Sequence, residues 1–87
     1  MYLIVVYDVE EDRVAKVLKC GRKYLNWVQN SVLEGEITEA KFEKFKRELN
    51  DIIEKDKDSI IFYILREQYY AKKEILGVVK NDLDNIL

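Results

Sequence analysis

With 87 residues, 48% of them hydrophobic, and a formal net charge of −2, the chain is the size of one small domain and lacks the basic balance of a protein that binds nucleic acid by bulk electrostatics. The absence of histidine and a single cysteine, Cys20, exclude an intrachain disulfide, an imidazole general base and a zinc site. Any metal used is then a hard cation held by carboxylate oxygens and water, which means magnesium or manganese.

Tyr2-Leu3-Ile4-Val5-Val6-Tyr7-Asp8 is an unbroken apolar run that ends on a carboxylate and reads as a strand covered on both faces. Glu10, Glu11 and Asp12 supply the negative charge that a helix N-terminus favours. Val14, Val17, Leu18, Gly21, Tyr24 and Leu25 then recur at the spacing of one buried helical stripe, with Lys16, Lys19, Arg22 and Lys23 on the opposite face. Gly21 lies on the stripe, which points to close approach of helix and sheet rather than to the end of the helix.

Trp27 to Ile37 has strand character, either as a hairpin turning near Asn30-Ser31 or as one bent strand with a bulge at Gly35; two short strands are favoured. Thr38 is suited to cap a second helix with Glu39 in its first turn. Phe42, Phe45, Leu49, Ile52 and Ile53 form its buried stripe, and Glu43-Arg47 and Asp51-Lys55 are i, i+4 pairs on its wet side. Ser59 to Leu65 is a second unbroken apolar strand. Beyond it, Glu74 to Val79 is a short strand candidate expected along a sheet edge, that of a second copy among the choices.

This order, β-α-β-β-α-β, is the α+β ferredoxin-like arrangement, in which two helices cover one face of an antiparallel sheet. An open face should make its strands alternate apolar with polar, and neither Tyr2 to Tyr7 nor Ile60 to Leu65 does so. A second copy packed face to face is the economical cover. With no proline, linker or repeat, one domain is expected over residues 1–66, with a tail over 67–87 that pairs at the dimer interface. Met1 to Val6 is too short and too abruptly charged for a secretory leader, and no run nears the roughly 18 apolar residues of a membrane span. A reduced, cytoplasmic protein with no membrane contact is expected.

Carboxylates are the one class of side chain left for catalysis. Asp8 is the best placed: it either simply ends its strand or, facing its copy across a two-fold, shares a divalent cation that activates water against a phosphodiester. The lysines and arginine of the first helix either solvate its outer face or meet phosphate. Cys20 reads as a small, partly buried residue, and Trp27 and the tyrosines read as core or interface.

Val5-Val6-Tyr7-Asp8-Val9, the stretch Tyr24 to Thr38 with Val28-Gln29-Asn30-Ser31-Val32-Leu33-Glu34-Gly35 at its centre, Asp58 to Tyr63, and Glu74-Ile75-Leu76-Gly77 together resemble the CRISPR-associated protein 2 family, in order and over nearly the whole chain. The resemblance implies a ferredoxin-like homodimer that joins the CRISPR-associated protein 1 integrase in inserting foreign DNA into the CRISPR array. It also implies a magnesium-dependent endonuclease acting on single-stranded RNA or double-stranded DNA. The family's metal-binding aspartate falls on Asp8, its neighbouring aromatic on Tyr7, and Arg13 lies near the basic residues that follow the strand. Trp27 stands where many members have arginine, and Leu33 where they have phenylalanine. The other roles open to such a chain are a purely structural DNA-binding scaffold and a ferredoxin-like regulatory domain for a small ligand.

Overall fold

The computed structural model describes residues 1–66 and 74–77. The apolar run at the start forms β1 (Tyr2–Asp8), and the chain continues through α1 (Glu11–Gly21), β2 (Asn26–Gln29), β3 (Val32–Glu36), α2 (Glu39–Ile52) and β4 (Ser59–Leu65). The sheet order is β2-β3-β1-β4, and β1 lies between β3 and β4, antiparallel to both. This is the expected βαββαβ fold.

The hairpin turns at Asn30-Ser31, where Gln29 pairs with Val32 and Asn30 takes a left-handed φ of 41°. Asparagine tolerates that conformation better than most residues. The register irregularity falls between Trp27 and Gln29 on the edge strand rather than at Gly35. Gly35 instead leaves room for Leu25, whose Cδ2 a methyl there would meet at 3.4 Å.

Thr38 caps α2 as expected, its hydroxyl accepting the Lys41 amide at 3.2 Å. Phe42, Phe45 and Leu49 face inward, and Phe45 meets Phe62 of β4 edge-on at 6.2 Å between centroids. On the wet side Glu43 pairs with Lys46 at 2.9 Å, one turn on, rather than with the expected Arg47. Helix α1 ends at Gly21, and its buried residues are Arg13, Val17, Cys20 and Gly21. The stripe is thus turned toward Arg13 and Cys20, leaving Val14 and Leu18 half-buried. Gly21 both closes the helix and touches β3: an added methyl would overlap Leu33 Cδ1.

Both helices lie on the face that carries Leu3, Val5, Tyr7 and Leu33, all of them buried. Along β1 the other face carries Ile4, Val6 and Asp8. Their neighbours on β4, Ile61 and Tyr63, remain 46% and 53% exposed. The non-alternating sequence therefore marks a sheet whose second face the described residues of one chain leave largely open. Glu74 to Gly77 carry no strand, Ile75 and Leu76 are exposed, and Gly77 has a φ of 97°. The expected strand is thus absent over this stretch. Val78, Val79 and the remainder of the tail lie outside the described residues. Among the described residues, no helix is long and apolar enough to cross a membrane.

Candidate active site

Asp8 is the last residue of β1 and is exposed. Side chains alternate along a strand, so it projects from the same open face as Ile4 and Val6. Pairing of β1 with β3 stops at Val6 opposite Val32, while Asp8 still faces Ser59 of β4. The carboxylate therefore stands at a corner of the sheet, beyond an apolar surface.

Among the described residues, no group of three acidic, cysteine or histidine side chains is arranged to hold a metal ion. One chain offers a single exposed carboxylate here, which suits magnesium or manganese in donor type but falls short in donor number.

Tyr7, expected beside Asp8, projects to the opposite face and is 3% exposed. Its hydroxyl donates to the Asn30 carbonyl at 3.4 Å, and burial raises its pKa above the ordinary phenol value. The Trp27 indole donates to the same carbonyl at 2.9 Å. Both aromatics therefore secure the β2–β3 turn.

Arg13, expected at a nucleic-acid surface, is instead buried against carboxylates. Its Nε and Nη2 donate to the two oxygens of Asp58 at 2.6 and 2.9 Å. Nη1 reaches Glu54 at 3.0 Å and Asp12 at 3.2 Å, and Nη2 also reaches Glu10 at 3.3 Å. The Asp58 side chain is wholly enclosed and also accepts the Glu10 and Glu54 amides at 3.0 and 2.8 Å. Arg13, helped by these amides, holds the Asp58 carboxyl well below the usual carboxylate range, and the bond to Asp58 in turn raises the Arg13 pKa. In the sequence Asp58 stands out only as the first residue of the family stretch Asp58 to Tyr63. Arg13 lies one helical turn before Val17, on the buried stripe, and that spacing was the available signal.

Lys16 and Lys19 on α1, and Arg22 and Lys23 just past its end, are all exposed. Lys23 pairs with Glu48 at 2.8 Å, which raises the lysine's pKa and lowers the glutamate's. The Arg22 guanidinium sits 5.8 Å from the centroid of the Trp27 ring. This basic row belongs to the helical layer, so the fold does not bring it together with Asp8 on the open sheet face. Cys20 is buried, its Sγ 3.5 Å from Glu48, and burial pushes its thiol up to about 11. A thiol so placed stays protonated and is no nucleophile.

The family model described as CRISPR associated protein Cas2 matches residues 1–73. The CRISPR-associated endoribonuclease Cas2 of Dictyoglomus turgidum is 59% identical over 87 residues, 100% of either chain. That of Thermotoga maritima is 54% identical over 82 residues, 94% of either chain. Among solved structures, a crystal structure of Cas2 superposes with a TM-score of 0.84 at 40% identity, covering 93% of this chain and 91% of that one. Streptococcus pyogenes Cas2 at pH 6.5 gives a TM-score of 0.79 at 37% identity, covering 88% and 100%.

Proposed function

Since the chain belongs to the CRISPR associated protein Cas2 family, we propose that it works as a homodimer that cleaves RNA phosphodiester bonds at paired Asp8 carboxylates. The observation that carries this reading is that Asp8 shares with Ile4, Val6, Ile61 and Tyr63 a sheet face that the described residues leave largely open. Association through that apolar face buries it and brings two Asp8 side chains toward one symmetry axis. The endoribonuclease names of the relatives from Dictyoglomus turgidum and Thermotoga maritima support the reaction class.

Asp8 from each copy would hold magnesium or manganese, and the apolar surface around it would keep bulk water from the interface. The cation, when bound, supplies Lewis acidity and a water of lowered pKa. Lys16 and Lys19, outward on α1, would meet the nucleic-acid backbone at a distance from the reacting bond, a contact that carries no base information. Arg13 is not among the nucleic-acid contacts, because carboxylates already surround it.

A second role has its own support. The separation of the basic row from Asp8 suits a dimer that holds DNA on its helical layers and bridges the CRISPR-associated protein 1 integrase during insertion of foreign DNA. In that role Asp8 is dispensable.

The two roles separate when cleavage and integration are assayed side by side for the parent and Asp8→Asn. Magnesium-dependent cleavage of single-stranded RNA should vanish in the variant, while sedimentation still reports a dimer. Persistent cleavage would defeat the catalytic reading. Integration should survive the substitution, and its loss would defeat a purely scaffolding role.

A further inference from the structure

Beyond Tyr7, whose amide donates to the Ser31 carbonyl at 3.0 Å, β1 has lost β3 as a neighbour. Asp8 then depends on two things: its register partner Ser59, and the two-residue loop Val9-Glu10 that leads into α1. Both run directly into Asp58. This residue immediately precedes Ser59, and its Oδ1 accepts the Glu10 amide at 3.0 Å. Its Oδ2 accepts the Glu54 amide at the end of α2 at 2.8 Å. Arg13, in the first turns of α1, closes the arrangement with its Nε and Nη2 on the same carboxylate.

We propose that the Arg13–Asp58 pair is a positioning clamp for Asp8, fixing from both sides the strand end that presents the metal-binding carboxylate. The inference rests on the proposed cleavage at Asp8 and assigns it two residues that touch neither substrate nor cation. An arginine meeting RNA directly would need a free donor edge. Here Nε, Nη1 and Nη2 are all engaged at 2.6 to 3.3 Å by Asp58, Glu54, Asp12 and Glu10. The pair also joins, on one carboxylate just before β4, α1 and the turn that follows α2. Displacement of any of the three is thereby transmitted to the Asp8 backbone. A bidentate fork resists rotation as well as separation, which a lysine in place of Arg13 would not.

The test compares full-length parent, Asp58→Asn, Arg13→Lys, Arg13→Gln and Asp8→Asn. Two readouts are used: magnesium-dependent cleavage of single-stranded RNA resolved into kcat and KM, and amide hydrogen exchange at Glu10, with Leu3 and Val5 as internal controls. A clamp predicts that kcat falls at least about tenfold in Asp58→Asn and Arg13→Gln while KM stays within about twofold, with Arg13→Lys intermediate. It also predicts that the Glu10 amide exchanges at least about tenfold faster while Leu3 and Val5 keep their protection. A raised KM with a weakened salt dependence and intact kcat in Arg13→Gln would make Arg13 an RNA contact and overturn the proposal. Parental kcat in Asp58→Asn would overturn it as well. Should Asp58→Asn fail to fold, Arg13→Lys carries the same readouts, because Asp58 keeps its amide donors and a cationic partner there. If parental cleavage proves independent of Asp8, the proposed activity falls and the clamp is judged on exchange alone. Unchanged Glu10 protection in Arg13→Gln then refutes it.

Discussion

Substitution of Gly21 by alanine sets two effects of known size against each other. A methyl at this position overlaps Leu33 Cδ1 and lies 3.5 Å from Leu33 Cγ and Cδ2. Leu33 is 0% exposed, so it has no solvent into which to swing. Forcing one methyl into such a site costs about 1–3 kcal/mol. In the opposite direction, alanine is favoured over glycine inside a helix by about 1 kcal/mol, a gain that shrinks at the last helical residue. The steric term wins, and a net loss of about 1 kcal/mol is expected, equivalent to about 4–8 °C in Tm for a domain of this size. Urea denaturation at one fixed protein concentration, which keeps any association constant, should show a lower midpoint at unchanged slope. Leu33→Val withdraws the colliding methyl, so the double variant should lose less than the sum of the two single losses, by at least about 0.5 kcal/mol. Stabilisation by Gly21→Ala alone would refute the argument and reduce Gly21 to a residue that merely ends α1.

Charge placed on the open sheet face tests the proposed association: Tyr63→Lys, at a position 53% exposed in the single chain, should keep the far-UV spectrum of the fold while sedimentation shifts to the monomer. A dimer as tight as the parent's would show that this face is not the interface. Acid provides the third perturbation. Asp58 has a folded pKa depressed from its ordinary 3.8, by Arg13 first and then by the Glu54 and Glu10 amides. Its stabilisation is therefore full above about pH 4 and is lost as the pH falls toward the folded value. Arg13 stays charged throughout this range, so the carboxyl of Asp58 is the titrating half of the pair. Urea midpoints measured from pH 5 to pH 2 should fall less steeply for Asp58→Asn than for the parent, and parallel curves would refute the assignment.

The parts of the fold written in local pattern were legible. Apolar runs stopped by charge marked β1 and β4, and Thr38 before Glu39 marked the start of α2. Asn30-Ser31 between apolar pairs marked the hairpin. The site was half legible. Asp8 could be singled out because a carboxylate ends an apolar strand, and the excess of apolar residues on that strand pointed to its open face. Arg13 was set among nucleic-acid contacts by the family resemblance, whereas its side chain is buried and its partner Asp58 lies 45 residues away. Helical spacing could signal that Arg13 is buried, but a salt bridge formed across such a separation leaves no trace of its partner. Tyr7 was placed beside Asp8 by the family resemblance, although strand geometry sends neighbours to opposite faces. The pattern near Glu74 reads as a strand by composition, yet strand formation needs a paired edge that Glu74 to Gly77 do not find among the described residues.

The place of β1 in the sheet has a consequence for biosynthesis. The first strand to be made is a central one, and one of its two neighbours, β4, is the last strand before the tail. At about 5–20 residues per second, the roughly 57 residues from Asp8 to Leu65 take about 3 to 11 seconds to synthesise. For that interval Tyr2 to Tyr7 is an apolar, β-prone segment without its full set of partners, the kind of segment that aggregates when left unpaired. Its enclosure cannot be hastened by strengthening α1 or the hairpin, since neither supplies the missing edge. The pace of translation through β4 thus sets how long the strand that carries Asp8 remains exposed in the cell.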